Sequence, residues 1–269
     1  MKKLIPVLIL FFLFFSCEDK KRAVHNATSQ DTTAPENQES GSTSTEDYDL
    51  NLWVSEIDAE IENEEKAAYS LQFSNEQEEV QAILYYVGET PSRLDEKFSD
   101  YVTKTYGKRS YYLMNEQLVV SKEVKEELLP DSTYQMRETI TFYENGMAKK
   151  SQTKVAPYEE ELIYSDYTEI PVTAHPFKNT LDVLNREGDY ETYFLDLVET
   201  STSTFILLSN RQSPKKTTAL MLEYRDSFAN ELLQNKKKYI GKKVEVEFEI
   251  ASNQGMTYQA YRGGKFSVE

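Results

Sequence analysis

Between Tyr69 and Tyr143 the chain alternates aromatic or β-branched residues with charged ones at a period of two, and this pattern more than any other limits what it can fold into. The alternation recurs at Tyr69 to Phe73, Val80 to Val87, Lys97 to Thr105, Ser110 to Ser121 and Tyr134 to Tyr143. Such segments suit half-buried strands. Turn residues punctuate them at Gly88, Tyr106-Gly107-Lys108, Asn115-Glu116 and Glu144-Asn145-Gly146, the last a hairpin signal because Asn and Gly accept positive φ. The expectation is an antiparallel meander with one wet face. In Tyr85-Tyr86 and Tyr111-Tyr112 the alternation should bury one ring and expose the other. Ahead of the meander, Leu50, Val54, Ile57 and Ile61 recur at helical spacing, with Trp53 as a core anchor. Glu56, Glu60 and Glu64 then form that helix's solvated face.

The last third has a different order of elements. A short helix at Asn179 to Arg186 leads to strands at Thr192 to Val198, Thr204 to Ser209 and Thr218 to Tyr224. A helix follows from Asp226 to Lys238, then strands at Lys243 to Ile250 and Met256 to Tyr261, continuing to Val268. Asp226 or Ser227 serves as N-cap, Phe228, Leu232 and Leu233 form the apolar stripe, and Lys236-Lys237-Lys238 meets the negative end of the helix dipole. Gly241 stops the helix. Three strands, a helix and two strands is the order of the OB-fold, and a five-stranded sandwich can show the same order. The segment NKKKYIGKKVEVEF, Asn235 to Phe248, resembles the helix-end-to-fourth-strand region of OB-like domains in exported proteins. That resemblance implies ligand contacts at the loops Glu199 to Ser203 and Ala251 to Gly255, with Arg211, Lys215 and Lys216 near an anionic group.

Charge divides the chain. From Phe177 onward 13 Lys and Arg face 13 Asp and Glu, so the net charge of −16 lies wholly before that point. Pro157 to Pro176, with Glu159-Glu160-Glu161, Pro171 and His175-Pro176, reads as a linker. The expected organisation is a signal peptide at 1–16, a lipidated tether at 17–46, a helix-plus-sheet domain at 47–156, the linker at 157–176 and an OB-like five-stranded barrel at 177–269. The class is α+β, mostly β.

The start of the chain specifies a compartment. Lys2-Lys3 precede the apolar run Leu4 to Phe15, whose twelve residues reach only about 18 Å as a helix against a hydrocarbon core of roughly 30 Å. This is the form of an export signal. Phe14-Phe15-Ser16-Cys17 resembles the lipobox of bacterial lipoproteins, which implies lipid on Cys17 and an extracytoplasmic mature chain anchored to the cell envelope, at the outer membrane, on its periplasmic or surface side. Tyr111 to Val120, reading YYLMNEQLVV, resembles the strand-turn-strand units of many bacterial lipoproteins of unknown function. Cys17 is the single cysteine, so no internal disulfide or thiolate metal cluster can form. Residues Glu18 to about Thr45 contain almost nothing apolar and suit a tether with a reach of about 30 Å. Asp31-Thr32-Thr33 and Asp131-Ser132-Thr133 are similar to a bacterial O-glycosylation acceptor.

Chemistry is sparse by comparison. His25 falls in the tether and His175 in the linker, and no phosphate loop, zinc helix or calcium loop occurs. No catalytic, cofactor or metal residue is expected, nor a nucleic-acid partner, given the acidity. The function expected is a non-enzymatic, lipid-anchored binding or envelope-assembly protein, meeting the membrane through Cys17 and an envelope protein or glycan through its folded part. The alternatives are an envelope hydrolase acting on glycan or peptide through paired carboxylates, and an acidic inhibitor or immunity protein.

Overall fold

The computed structural model describes residues 45–267 apart from 65, 213, 214 and 254, so Cys17, His25 and Asp31-Thr32-Thr33 lie outside the described residues. The chain is mostly β with three α-helices among those residues. Helix α1 (Thr45–Glu64) precedes β1 (Ala67–Tyr69), β2 (Phe73–Ser74), β3 (Glu78–Val87), β4 (Thr90–Asp100), β5 (Thr105–Met114), β6 (Gln117–Leu128), β7 (Tyr134–Glu144) and β8 (Met147–Ala156). A 3₁₀ turn (Glu159–Tyr164) and β9 (Thr168–Ile170) follow, then α2 (Phe177–Asn185), β10 (Tyr193–Glu199), β11 (Thr204–Ser209), β12 (Thr217–Met221), α3 (Ser227–Tyr239), β13 (Val244–Asn253) and β14 (Met256–Phe266).

Strands β3 to β9 pair in chain order, each antiparallel to the next. The alternation predicts the meander as far as β7, whereas β8 lies beyond it and β9 within the stretch that reads as a linker. The hairpin residues Asn115, Glu116, Asn145 and Gly146 all take positive φ. Tyr106-Gly107-Lys108 is not a turn but part of β5. The glycine answers a different need: a Cβ at position 107 would stand 2.5 Å from the Val124 carbonyl oxygen of β6. The turn falls instead at 101–104, where Asp100 accepts the backbone N–H groups of Val102 and Thr103.

The meander has two covered faces rather than one wet face. On the first, Val54 of α1 packs with Tyr112, Val120, Ile140 and Phe142, and Trp53 meets the Tyr112 ring edge-on at 6.5 Å. On the second, Leu94 and Tyr111 join the main core, where Phe177 of α2 lies 5.3 Å from the Tyr111 ring. Tyr111 and Tyr112 are therefore both buried, on opposite faces, which corrects the one-in, one-out expectation.

The segments before 157 and after 176 meet in that main core. Leu71, Phe73, Val80 and Ala82 share it with Phe194, Ile206, Leu208, Leu220, Leu232 and Tyr261. Phe73 packs edge-on against Tyr190 at 5.3 Å, and β12 continues the sheet onto β2 through Thr217 and Ser74. At the same seam Lys216 pairs with Glu78 at 2.6 Å and donates to the Tyr190 hydroxyl. The resulting sheet is open and mixed, running from β10 through β12, β2 and β3 to β9, with β12 and β14 parallel at Met221 and Ala260. A closed barrel is not part of this path.

Asp226 caps α3 as expected, accepting the Ala229 N–H at 2.8 Å, and it also accepts the hydroxyl of fully buried Tyr261. Loss of a cap typically costs about 1 kcal/mol, and an orphaned buried hydroxyl about 1–3 kcal/mol. Asp226→Ala is thus expected to lower the unfolding free energy by about 2–3 kcal/mol, measured by urea denaturation, with Asp226→Asn recovering part of the loss.

Candidate functional site

Two places gather polar chemistry, one interior and one exposed. The interior one arises where the second face of the meander turns from apolar to charged. Glu96 of β4, Arg109 of β5 and Glu123 of β6 are neighbours in register, so their side chains stand in one row. Arg109 donates to Glu96 at 2.5 Å and to Glu123 at 2.6 Å, and its guanidinium lies 4.1 Å from the centre of the Phe98 ring. The second oxygen of Glu96 accepts the Thr180 hydroxyl of α2, and Lys125 reaches Glu123 at 3.2 Å. Arg109 and Lys125 border a cleft of about 440 Å³ whose wall also carries Glu78, Glu79, Asp100 and Tyr190.

His175 closes this row from above. Its chain segment crosses the meander with the Thr173 carbonyl accepting from Thr141, the Thr173 N–H donating to Ser151, and the His175 N–H donating to the Tyr143 hydroxyl. The ring is 6% exposed, with Nδ1 3.8 Å from Glu123, and Nε2 is buried with no hydrogen-bond partner. A residue expected in a loose loop is therefore held by rigid strands. Burial pushes the imidazole below its ordinary 6.5, against the pull of Glu123 and with the help of Arg109 and Lys125. Burial raises the Glu123 carboxyl, but Arg109 and Lys125 outweigh it and hold the group below its ordinary 4.5. On the opposite face burial likewise raises Glu138, and Lys122, the Tyr167 hydroxyl and Lys154 outweigh it. These carboxylates are ionised and paired. They are suited to holding strands together rather than to delivering a proton.

The signs set a pH response. Neutral His175 is favoured in the fold, so below about pH 6.5 the unfolded chain binds the extra proton and stability falls. Glu123 and Glu138 add stability that is present above 4.5 and lost as pH falls below it. Thermal melts between pH 7.5 and 5 should show a decline that His175→Gln flattens, leaving the steeper loss at lower pH.

The exposed place lies at the far end of the first face, beyond α1. The 3₁₀ turn buries Leu162 there but leaves Ile163 72% and Tyr164 83% exposed, and Tyr158 just before it is 66% exposed. Tyr158 and Pro157 border a cleft of about 700 Å³ together with Leu129, Tyr134, Val155 and Glu126. Within 157–170 there are five Asp and Glu and no Lys or Arg. Beside it, β9 ends the sheet path. This segment reads as a linker in sequence, because exposure of a short irregular turn leaves no periodic trace. Its Tyr158 and Glu159-Glu160-Glu161 were the available signal.

The residues singled out from the sequence are dispersed. Lys216 belongs to the seam. Arg211 lies over the Tyr193 ring and donates to the Gly241 carbonyl, and Lys215 is exposed. The Glu199 to Ser203 loop is a tight turn closed by the Thr200 N–H to the Ser203 carbonyl. Glu56 and Glu60 are exposed on α1. Among the described residues no three His, Asp or Glu side chains group as metal ligands, and no helix is long and apolar enough to cross a membrane. No family model, curated protein or solved structure matches the chain.

Proposed function

We propose that this chain is a lipid-anchored, non-enzymatic binding or assembly protein of the bacterial cell envelope, held by lipid on Cys17 and meeting its partner through segment 157–170. The observation carrying the reading is the exposure of Tyr158, Ile163 and Tyr164 close together in the chain, with Tyr158 bordering a cleft that Leu129, Tyr134 and Val155 also line. Large apolar side chains exposed close together mark many interaction sites, and tyrosine anchors many interfaces. The hydrolase alternative needs a carboxylic acid kept protonated near neutrality. Glu123 and Glu138, the two buried carboxylates held below their ordinary value by neighbouring cations, do not supply that acid.

The finer fold of 177–269 belongs to the same proposal, as an OB-like five-stranded barrel. Such a barrel closes by pairing its first strand with its fourth and its third with its fifth. Support comes from the parallel contact of β12 with β14, and from β10 approaching β13 through the Tyr193 and Lys243 bridge and the Val244 N–H to the Thr192 carbonyl.

Anchoring is tested by growing cells on a clickable palmitate analogue, crosslinking them intact and recovering the protein. Wild type should carry the label and retain an envelope partner, and Cys17→Ala should lose both. An unlabelled wild-type protein, or identical partners from both forms, would contradict the anchored reading.

A further inference from the structure

We infer that segment 157–170 and its cleft receive a Lys- or Arg-bearing segment of a partner protein, with one cationic side chain seated between Tyr134 and Tyr158. The inference rests on the reading of this segment as a docking surface and names its occupant. Two observations converge on a cation with an apolar stem, and a third argues against backbone pairing.

The cleft is lined by the apolar and aromatic residues Leu129, Tyr134, Val155, Pro157 and Tyr158, together with Glu126 and the polar Thr133 and Gln135. A long cationic side chain buries its methylenes on such walls and keeps its head over rings or beside a carboxylate. The segment carries five acidic residues and no basic one, and Lys122 and Lys154, which border the neighbouring cleft with Glu159 and Ile163, are already paired with Glu138. The segment itself therefore favours a cationic partner over an anionic lipid surface or nucleic acid. Finally, the adjacent sheet edge is blunted against strand addition. β9 has only three residues, one of them Glu169, and Pro171 follows. Recognition therefore falls to side chains rather than to backbone pairing.

The test uses the full-length lipidated protein in discs of zwitterionic lipid, with empty discs as blank, at about 0.15 M salt so that diffuse charge attraction is screened. The probes are fluorescent peptides alternating Arg with Ser, the same peptide with citrulline for Arg, and an uncharged oligosaccharide. The Arg peptide should bind about tenfold more tightly than the citrulline form. The pair Tyr134→Ala and Tyr158→Ala should remove about that factor, as should reversing Glu159, Glu160 and Glu161 to Lys. Reversing Glu56 and Glu60 on α1 should leave binding unchanged. All these positions are at the surface, and unchanged melting confirms that the variants fold.

Equal affinity for the Arg and citrulline peptides, preference for the oligosaccharide, or an equal loss in the α1 variant would overturn the inference. A partner that crosslinks in cells through Tyr164 but presents no cation at the contact overturns only the inference. Absence of any such crosslink overturns the docking reading beneath it.

Discussion

Arg109→Ala should lower the unfolding free energy by about 3–5 kcal/mol, the largest single effect expected on the charged face of the meander. Its guanidinium is shared by Glu96 and Glu123, whose side chains are 6% and 7% exposed. Removing it strands two carboxylates away from water, with the Thr180 hydroxyl, Lys125 and, at 3.8 Å, His175 as their remaining partners. The desolvation penalty then stays without its main compensation. The physical cause separates this account from a simple loss of packing over Phe98. Adding Glu96→Gln and Glu123→Gln to an Arg109→Met background removes the stranded charges and should return part of the lost stability, as read by urea denaturation. If the triple variant is no more stable than Arg109→Met, the charges are not what the arginine compensates.

Phe73→Ala should cost about 3–5 kcal/mol, through lost transfer energy and the cavity left beside Tyr190. Its wider consequence follows from its place. Phe73 is fully buried in β2 before residue 157, yet its cluster includes Phe194, Ile206 and Leu220 from after residue 176. Trp53, the single tryptophan, lies on α1 against the other face of the meander and reports on that region by its fluorescence. In Phe73→Ala the fluorescence transition of Trp53 and the far-UV circular dichroism transition should move together to lower urea. A shift in circular dichroism with the Trp53 transition unmoved would mean that the two segments do not share a cooperative core.

Much of this architecture is legible in the chain because it rests on local periodicity and turn chemistry. The meander, α1, the Asn145-Gly146 hairpin and the Asp226 cap all follow from residues within a few positions of one another. What escapes is decided at long range. Nothing local in Tyr111-Tyr112 says that α1 covers one face and α2 the other, so both rings are buried where alternation alone exposes one. Gly107 marks a close approach to β6 rather than a turn, and the two causes leave the same letter in the sequence. Only the end of β4 was legible: the alternation suggests a strand over Lys97 to Thr105, but β4 spans Thr90–Asp100 and the turn at 101–104 interrupts that stretch. β8, with Lys149, Lys150 and Lys154 along it, lacks the aromatic alternation of its neighbours. The charge difference across residue 176 is a property of surfaces, and it carries no information about the core beneath them. The same holds for the candidate site: His175 gains its rigid setting from Tyr143, Thr141 and Ser151, and Tyr164 its exposure from a turn that buries only Leu162.

Partner contact through segment 157–170 can be read in intact cells by site-specific photocrosslinking. A photoreactive residue at position 164, and another at the exposed position 60 of α1, are each activated in the otherwise wild-type lipidated protein. One discrete protein adduct is expected from position 164 and none from position 60. Adducts from position 60 alone, or the same adducts from both positions, would contradict partner contact through segment 157–170.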